Sequence, residues 1–423
     1  MTSVPTILDE LEWRGLLAQT TDEEALREHF AAGPVTVYCG FDPTAPSLHF
    51  GNLVQLVVLR RLQRAGHRVI CLVGGSTGLI GDPKPTAERV LKTKEQTADN
   101  VARIKGLVQP FLEFEGDNAA LLVDNLDWTA PLSALDFLRD VGQHFRVNQM
   151  IRKEAVAARL SSEVGISYTE FSYQILQAMD FLHLFRTFGC TVQTGGQDQW
   201  GNLTAGVDLI HRVLGERAHL ITTPLLTDEN GNKFGKSEGN AVWLSADMTS
   251  PYAFYQYWIN IADSEVGKLL RVFTDRTQEE IAELERATVD SPHLRSAQRA
   301  LAADVTTLVH GAEATAQVEH ASQVLFGRGD PAALDAGTLR DATAELAGGE
   351  VSVGSTVVDA LVAVGLAESK GAARRLIGEG GVSINNVKVG GVDDVLGEEA
   401  FLHAQVALVR RGRKHLAAAR KAS

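Results

Sequence analysis

Between residues 35 and 73 the chain commits itself to a parallel sheet. Val35-Thr36-Val37-Tyr38-Cys39 is a β-branched and aromatic run that reads as a buried strand. Residues 51–65 follow with helical spacing of their apolar positions and stop at Gly66. Val69-Ile70-Cys71-Leu72-Val73 reads as a second strand and opens into a glycine-rich stretch, residues 74–81. Strand, helix and strand within about forty residues form a βαβ unit, and such sheets hold ligands in a crevice at a topological switch point. Residues 119–123 supply a third strand-like run and residues 191–194 a fourth. From residue 249 to about 347 the pattern is helical, and Ala347-Gly348-Gly349 is the best linker. The remainder alternates a short helix, a Gly-Gly turn and short β runs at 382–384 and 406–409.

Composition narrows the class. A chain of 423 residues with 44% hydrophobic content supports two to four domains at about 100–200 residues each. Charged residues make up 22%, which fits neither disorder nor a coiled coil. No stretch approaches the roughly 18 uncharged apolar residues of a membrane span. Asp9-Glu10-Leu11-Glu12 is acidic where a secretory leader would be basic. Cys39, Cys71 and Cys190 are scattered and form no CxxC pair, which argues against a disulfide framework and a structural metal site. A cytoplasmic protein with no membrane partner is expected.

Charge is uneven. The whole chain carries 40 basic and 53 acidic residues, yet residues 351–423 hold 10 basic against 7 acidic. Arg410, Arg411, Arg413, Lys414, Arg420 and Lys421 crowd the last fourteen positions with no acid among them. A basic C-terminal module facing a polyanion, or a merely solvated basic tail, fits that asymmetry.

Four segments carry chemistry. Residues 42–53, between the first strand and its helix, place His49 and Gly51 at a helix N-terminus, where free N–H groups and a partial positive charge suit phosphates. A histidine in that position is more often a local cap. Asn230-Gly231-Asn232-Lys233-Phe234-Gly235-Lys236-Ser237 misses a P-loop by its first residue, but leaves a loop with two lysines able to stabilise charge developing during transfer. An exposed basic turn is the plainer alternative. Residues 74–82 contain no GxGxxG, so no dinucleotide fingerprint is present, although the glycines admit a ligand beside Asp82. Finally, Tyr173, Gln177 and Asp180 recur at i, i+4 and i+7, on one face of a helix whose other residues are largely apolar. Such a stripe faces water by default, or else lines an internal pocket; Phe171, Leu176, Phe181 and Leu182 leave little solvent-facing surface and favour a pocket suited to an ammonium or hydroxyl group.

In their order and spacing these segments resemble the class I aminoacyl-tRNA synthetases, and within them the bacterial tyrosyl family. His49-Phe50-Gly51-Asn52 is similar to the HIGH motif and Lys233-Phe234-Gly235-Lys236-Ser237 to the KMSKS loop. Tyr38–Thr44, Gly74–Asp82, Tyr173–Asp180 and Gly195–Asn202 are similar to tyrosyl-family segments, and the resemblance spans essentially the whole chain. It implies an α/β fold: a Rossmann-like parallel-sheet catalytic domain over residues 1–245, an α-helical domain over 246–347, and a small α+β S4-like RNA-binding domain over 351–423. It also implies an ATP-dependent ligase that makes tyrosyl-adenylate and then charges tRNA(Tyr).

The resemblance assigns roles residue by residue. Tyr38 and Asp180 would contact the phenol hydroxyl of L-tyrosine, while Tyr173, Gln177 and either Gln199 or Asp82 would hold its ammonium and carboxylate. Gly40, Asp42, Gly51, Gln193, Gly196 and Asp198 would surround the ATP ribose and adenylate. Thr44, His49, Asn52, Lys233, Lys236 and Ser237 would serve the triphosphate of Mg-ATP. Two departures stand out: Asn52 occupies the last HIGH position, and residues 82–89 are shorter than the family's GDPSGK segment, so Lys84 and Arg89 lack assigned counterparts. Lys370, Arg374, Arg375, Arg410, Arg411, Arg413 and Lys414 would neutralise tRNA phosphates. A homodimer joined near residues 125–150 is further implied. The rivals are a tryptophanyl-type synthetase, a synthetase-derived RNA-binding protein and a cofactor-making nucleotidyltransferase.

Overall fold

The computed structural model describes residues 6–85, 87–163, 165–227, 234–237, 240–344, 346–412 and 415–422. Contacts divide the chain into two compact units, Met1–Met248 with Ala262–Ala297, and Thr249–Ile261 with Gln298–Ser423.

The first unit is built on a six-stranded sheet: β1 (Gln19–Thr20), β2 (Thr36–Phe41), β3 (Arg68–Val73), β4 (Leu121–Asp124), β5 (Cys190–Gly196) and β6 (His219–Thr223), in the order β1-β6-β5-β2-β3-β4. All neighbours are parallel except the edge pair β1–β6. In β3, Val69, Ile70, Cys71 and Val73 are all fully buried, although successive side chains point to opposite faces. Both faces are therefore covered, as parallel sheets require. From β2 the chain builds outward through β3 and β4, then returns to place β5 and β6 on the other side. The switch point lies between β2 and β5, and their carboxyl ends frame a crevice. Sequence reasoning anticipates β2 to β5 but not β6 or the two-residue β1. The His-Leu-Ile-Thr-Thr run of β6 carried a β-branched signal, whereas β1 is too short for any periodicity.

The helix Phe50–Arg64 covers one face of this sheet, and Tyr168–Phe188 packs against Trp200–Leu214 in a cluster with Ile70, Leu72 and Cys190. At its far end, Phe50–Arg64 presents Arg60 and Arg64 to the carboxylate of Asp275, each at 2.6 Å. Buried Arg61 joins Arg14 in donating to the Thr274 carbonyl, and burial draws its guanidinium down to about 10. The helix Asp263–Phe273, with Val266, Leu269, Leu270 and Phe273 buried, is thereby held to the sheet-bearing unit. The sequence places residues 246–347 in one helical domain; in the contacts they divide between the two units.

The second unit joins helices Pro251–Ile259, Ala312–Leu325 and Ala336–Thr343 to a five-stranded sheet of Val387–Lys388, Val382–Ile384, Val406–Arg411, His415–Lys421 and Gly348–Val351, in that spatial order. Ala321, Val324, Leu334 and Leu339 share one core with Val406, Leu408 and Ala418 of the sheet. The sheet also has a core of its own, in which Val357, Leu361, Ile377, Val382, Leu396 and Phe401 pack with Ala407, Val409 and Ala419, so the small C-terminal domain is built round this second cluster and meets the helices through the first.

Candidate active site

A cavity of about 450 Å³ opens at the β2–β5 switch point. Tyr38, Gly40, Asp42, Thr44, His49, Gly51, Asn52, Asp82, Tyr173, Gln177, Asp180, Gln193, Gly196, Asp198 and Gln199 all line it. These are all the expected substrate and nucleotide residues except those of the lysine loop. Lys233 lies outside the described residues, as do Arg413 and Lys414. For Lys236 and Ser237 only the main chain is described, as a two-residue strand paired with Asn240–Ala241.

Asp180 sits at the bottom, 2% exposed. Its two oxygens accept from Asn125 Nδ2 at 2.9 Å and Trp128 Nε1 at 2.8 Å. Burial pushes its carboxyl up to about 7, against the opposing pull of those two donors. Tyr38, also 2% exposed, holds a hydroxyl that has no hydrogen-bond partner among the described residues. The buried Tyr38 hydroxyl is thus a group whose desolvation a polar guest in the cavity would repay, while the Asp180 oxygens, already held by two protein donors, keep lone pairs for a further donor. Burial raises the Tyr38 phenol well above its ordinary range, and the nearby Asp180 charge adds to the effect, so it is a neutral donor.

Higher in the wall, Tyr173 Oη donates to Asp42 Oδ2 at 2.6 Å and Thr77 Oγ1 to Asp42 Oδ1 at 2.7 Å. Gly74 makes this contact possible: a Cβ there would lie 2.3 Å from Asp42 Oδ1. Asp82 Oδ1 accepts from Lys153 Nζ at 2.8 Å and Asn202 Nδ2 at 3.2 Å, and its Oδ2 accepts from Gln199 at 3.2 Å. Asp82 and Gln199, offered by the sequence as alternatives, are thus partners of each other.

His49 is the N-cap of Phe50–Arg64, and the plainer reading of that histidine is realised. Its Nδ1 accepts from Gly51 N, while Asn52 Oδ1 accepts from His49 N, both at 3.1 Å. This reciprocal capping box gives Asn52 a definite structural task at the position where the family often carries histidine. His49 still faces the cavity, so cap and ligand roles are compatible. Gly235, with φ +89°, packs on Phe50 so closely that a Cβ would lie 2.7 Å from the ring. Gly235 is thereby seated against the start of the His49 helix.

Sequence reasoning missed Asn125, Trp128, Lys153, Thr77 and Asn202, and left Arg89 unassigned. Asn125 immediately follows β4, where the carboxyl-end rule could have found it; Lys153 carried no signal. Two residues expected to face tRNA are instead turned to main-chain carbonyls. Arg410 was expected to face tRNA, yet it is 8% exposed and donates to the Val324 and Leu325 carbonyls at 3.3 and 2.8 Å. It supplies a donor to the Leu325 carbonyl at the end of the Ala312–Leu325 helix, and shares the Val324 carbonyl with Gly327 N and Asn386 Nδ2. Arg411 similarly bonds the Leu366 carbonyl. Lys370, Arg374 and Arg375 remain exposed on the helix Lys370–Gly378.

Known proteins resemble this chain along nearly its whole length. Residues 31–327 match the family model described as tRNA synthetases class I (W and Y), and residues 342–418 match the tyrosine–tRNA ligase SYY-like C-terminal domain. The tyrosine–tRNA ligase of Streptomyces coelicolor is 58% identical over 97% of this chain and 98% of its own. That of Leifsonia xyli is 57% identical, over 98% and 94%. Among solved structures, a C-terminally truncated mitochondrial tyrosyl-tRNA synthetase from Coccidioides posadasii superposes with a TM-score of 0.67 at 32% identity, covering 75% of this chain and 92% of that one. With both its catalytic and its C-terminal portions matched, the chain belongs to the class I aminoacyl-tRNA synthetases, in their tyrosine–tRNA ligase family.

Proposed function

We propose that this protein joins L-tyrosine to tRNA(Tyr) in two steps. The tyrosine carboxylate attacks the α-phosphate of Mg-ATP, forming tyrosyl-adenylate and releasing pyrophosphate. A ribose hydroxyl at the tRNA 3′ end then takes the tyrosyl group and AMP leaves. The observation that carries the reading is the buried pair at the cavity floor, Tyr38 and Asp180, with the Tyr38 hydroxyl lacking a partner among the described residues. A phenol hydroxyl can donate to Asp180 and accept from Tyr38 at once. Phenylalanine would leave the buried Tyr38 hydroxyl without a partner, and an indole N–H could donate to Asp180 but not accept from Tyr38.

Above that floor, Tyr173 and Gln177 hold the substrate's ammonium, aided by the negative charge of Asp42 and Asp82. Gly40, Asp42, Gln193, Gly196 and Asp198 take the ribose and adenylate. Thr44, His49 and the lysine loop take the phosphates. Catalysis then rests on alignment and on charge stabilisation at phosphorus, with no covalent enzyme intermediate. Lys370, Arg374 and Arg375 bind tRNA phosphates. Leu135, Leu138 and Val147, 78%, 50% and 63% exposed, supply an apolar face for a homodimer. No helix among the described residues is long and apolar enough to cross a membrane, and the cytoplasm, where charged tRNA is used, is the proposed location.

The deciding experiment is ATP–pyrophosphate exchange with each of the twenty amino acids. Exchange with tyrosine alone is expected, and exchange driven by tryptophan or by none of them would overturn the reading.

A further inference from the structure

Beneath the cavity wall lies an ion pair that none of the roles above uses. Arg159, in the helix Glu154–Leu160, and Glu170, in the first turn of Tyr168–Phe188, meet at 3.1 Å with both side chains 1% exposed. Arg159 Nη1 donates to the carbonyls of Lys84 at 3.3 Å and Ala87 at 2.7 Å, and its Nε donates to the Gly165 carbonyl at 2.7 Å. Glu170 Oε1 accepts the main-chain N–H of Arg89 at 2.9 Å. The pair therefore grips the segment after Asp82 at three main-chain points, Lys84, Ala87 and Arg89. That is the stretch whose shortness leaves its basic residues without assigned counterparts.

Two consequences follow for the cavity. Arg89, whose main chain is pinned by Glu170, turns its side chain into the wall and donates from Nε to the Asp82 carbonyl at 2.7 Å. Glu170 also lies on the helix that carries Tyr173, Gln177 and Asp180, so a single rigid element sets both the tyrosine face and the Arg89 face. A buried ion pair is a poor source of net stability compared with apolar residues of similar volume. What it supplies here is geometry, since a guanidinium presents several donors in a fixed plane.

We propose that Arg159 and Glu170 are positioning residues for adenylate formation: they hold the main chain at Lys84, Ala87 and Arg89 so that the Arg89 guanidinium is aligned with the anionic nucleotide in the cavity. This rests on the ligase reading above. Neither residue touches substrate; each acts through Arg89.

The test compares Arg159→Lys, Glu170→Gln, Arg89→Ala and the double variant Arg159→Lys/Arg89→Ala, using single-turnover adenylate formation and tyrosine binding. Each single variant should slow adenylation by on the order of 10- to 100-fold, with tyrosine affinity within about twofold of wild type. In the double variant, adding Arg159→Lys to Arg89→Ala should cost nothing more. Full multiplication of the two losses would overturn the proposal, as would equal losses in tyrosine binding and adenylation. In the unaltered protein the Arg89 amide should exchange slowly with solvent deuterium, and exchange as fast as that of the exposed Val90 amide would also overturn it. This second measurement needs no variant to fold. A wild-type protein without tyrosine-dependent exchange would instead overturn the ligase reading, and the proposal with it.

Discussion

Tyrosine should bind more tightly as pH rises through neutrality, and Asp180 should set that dependence. Its carboxyl is pushed up to about 7 in the unliganded cavity, chiefly by burial. The ionised form can accept a phenol hydroxyl, whereas the protonated form must place a proton of its own in the same space. With a midpoint near 7, about a tenth of the carboxyls are ionised at pH 6 and about nine-tenths at pH 8. If only the ionised form is competent, the apparent Kd falls about tenfold across that window, equivalent to about 1.4 kcal/mol. The ammonium and carboxylate of free tyrosine do not titrate there. Equilibrium binding at pH 6, 7 and 8 measures the slope directly, with Asp180→Asn as the control, in which the slope should vanish. A flat profile for the unaltered protein, or an equal slope in Asp180→Asn, would refute the reasoning. The same shift has a stability counterpart. The native carboxyl keeps a proton that the unfolded chain has already released, so Asp180 stabilises fully below about pH 4. That contribution, about 4 kcal/mol at most, is lost as pH rises towards 7.

Four further outcomes are expected. Asp180→Ala should abolish tyrosine-dependent pyrophosphate exchange while circular dichroism stays near wild type; retained exchange would contradict the floor assignment. Gly235→Ala must place a side chain at φ +89° and 2.7 Å from Phe50, and should unseat the lysine loop. Adenylation should slow with tyrosine affinity unchanged, which a single-turnover assay would check. Arg410→Met should lower stability by about 2–3 kcal/mol with little change in the salt dependence of tRNA binding, whereas Arg374→Ala should reduce that salt slope by about 1 and leave the melting point alone. Removing residues 351–423 should expose Val324, Leu334 and Leu339, which share a core with that sheet. Limited proteolysis of the truncated chain should then cut within residues 298–347; resistance there would mean the helices stand alone.

What could be read in advance follows periodicity. Strands β2 to β5 announced themselves by β-branched runs, and the inward face of Tyr168–Phe188 by a polar stripe on an otherwise apolar helix. The cavity residues were legible because they sit on the elements that the pattern defines. Side chains whose partners are main-chain atoms distant in sequence were not. Arg410 read as an anion-binding charge because nothing in a basic tail says that a helix end will need it. Lys153 and Trp128 belong to segments without periodicity, and only folding brings them to Asp82 and Asp180, 71 and 52 residues away. His49 illustrates a third case, in which two readings of one residue are both compatible with its place.

The helix Phe50–Arg64 has one end at the cavity and the other held by Asp275 and the Thr274 carbonyl. Fifteen residues span about 22 Å, and an α-helix hardly compresses along its axis. Substitutions at Arg60, Arg61 or Arg64, about 15–22 Å along that axis from His49, are therefore expected to register as changes in how ATP is held.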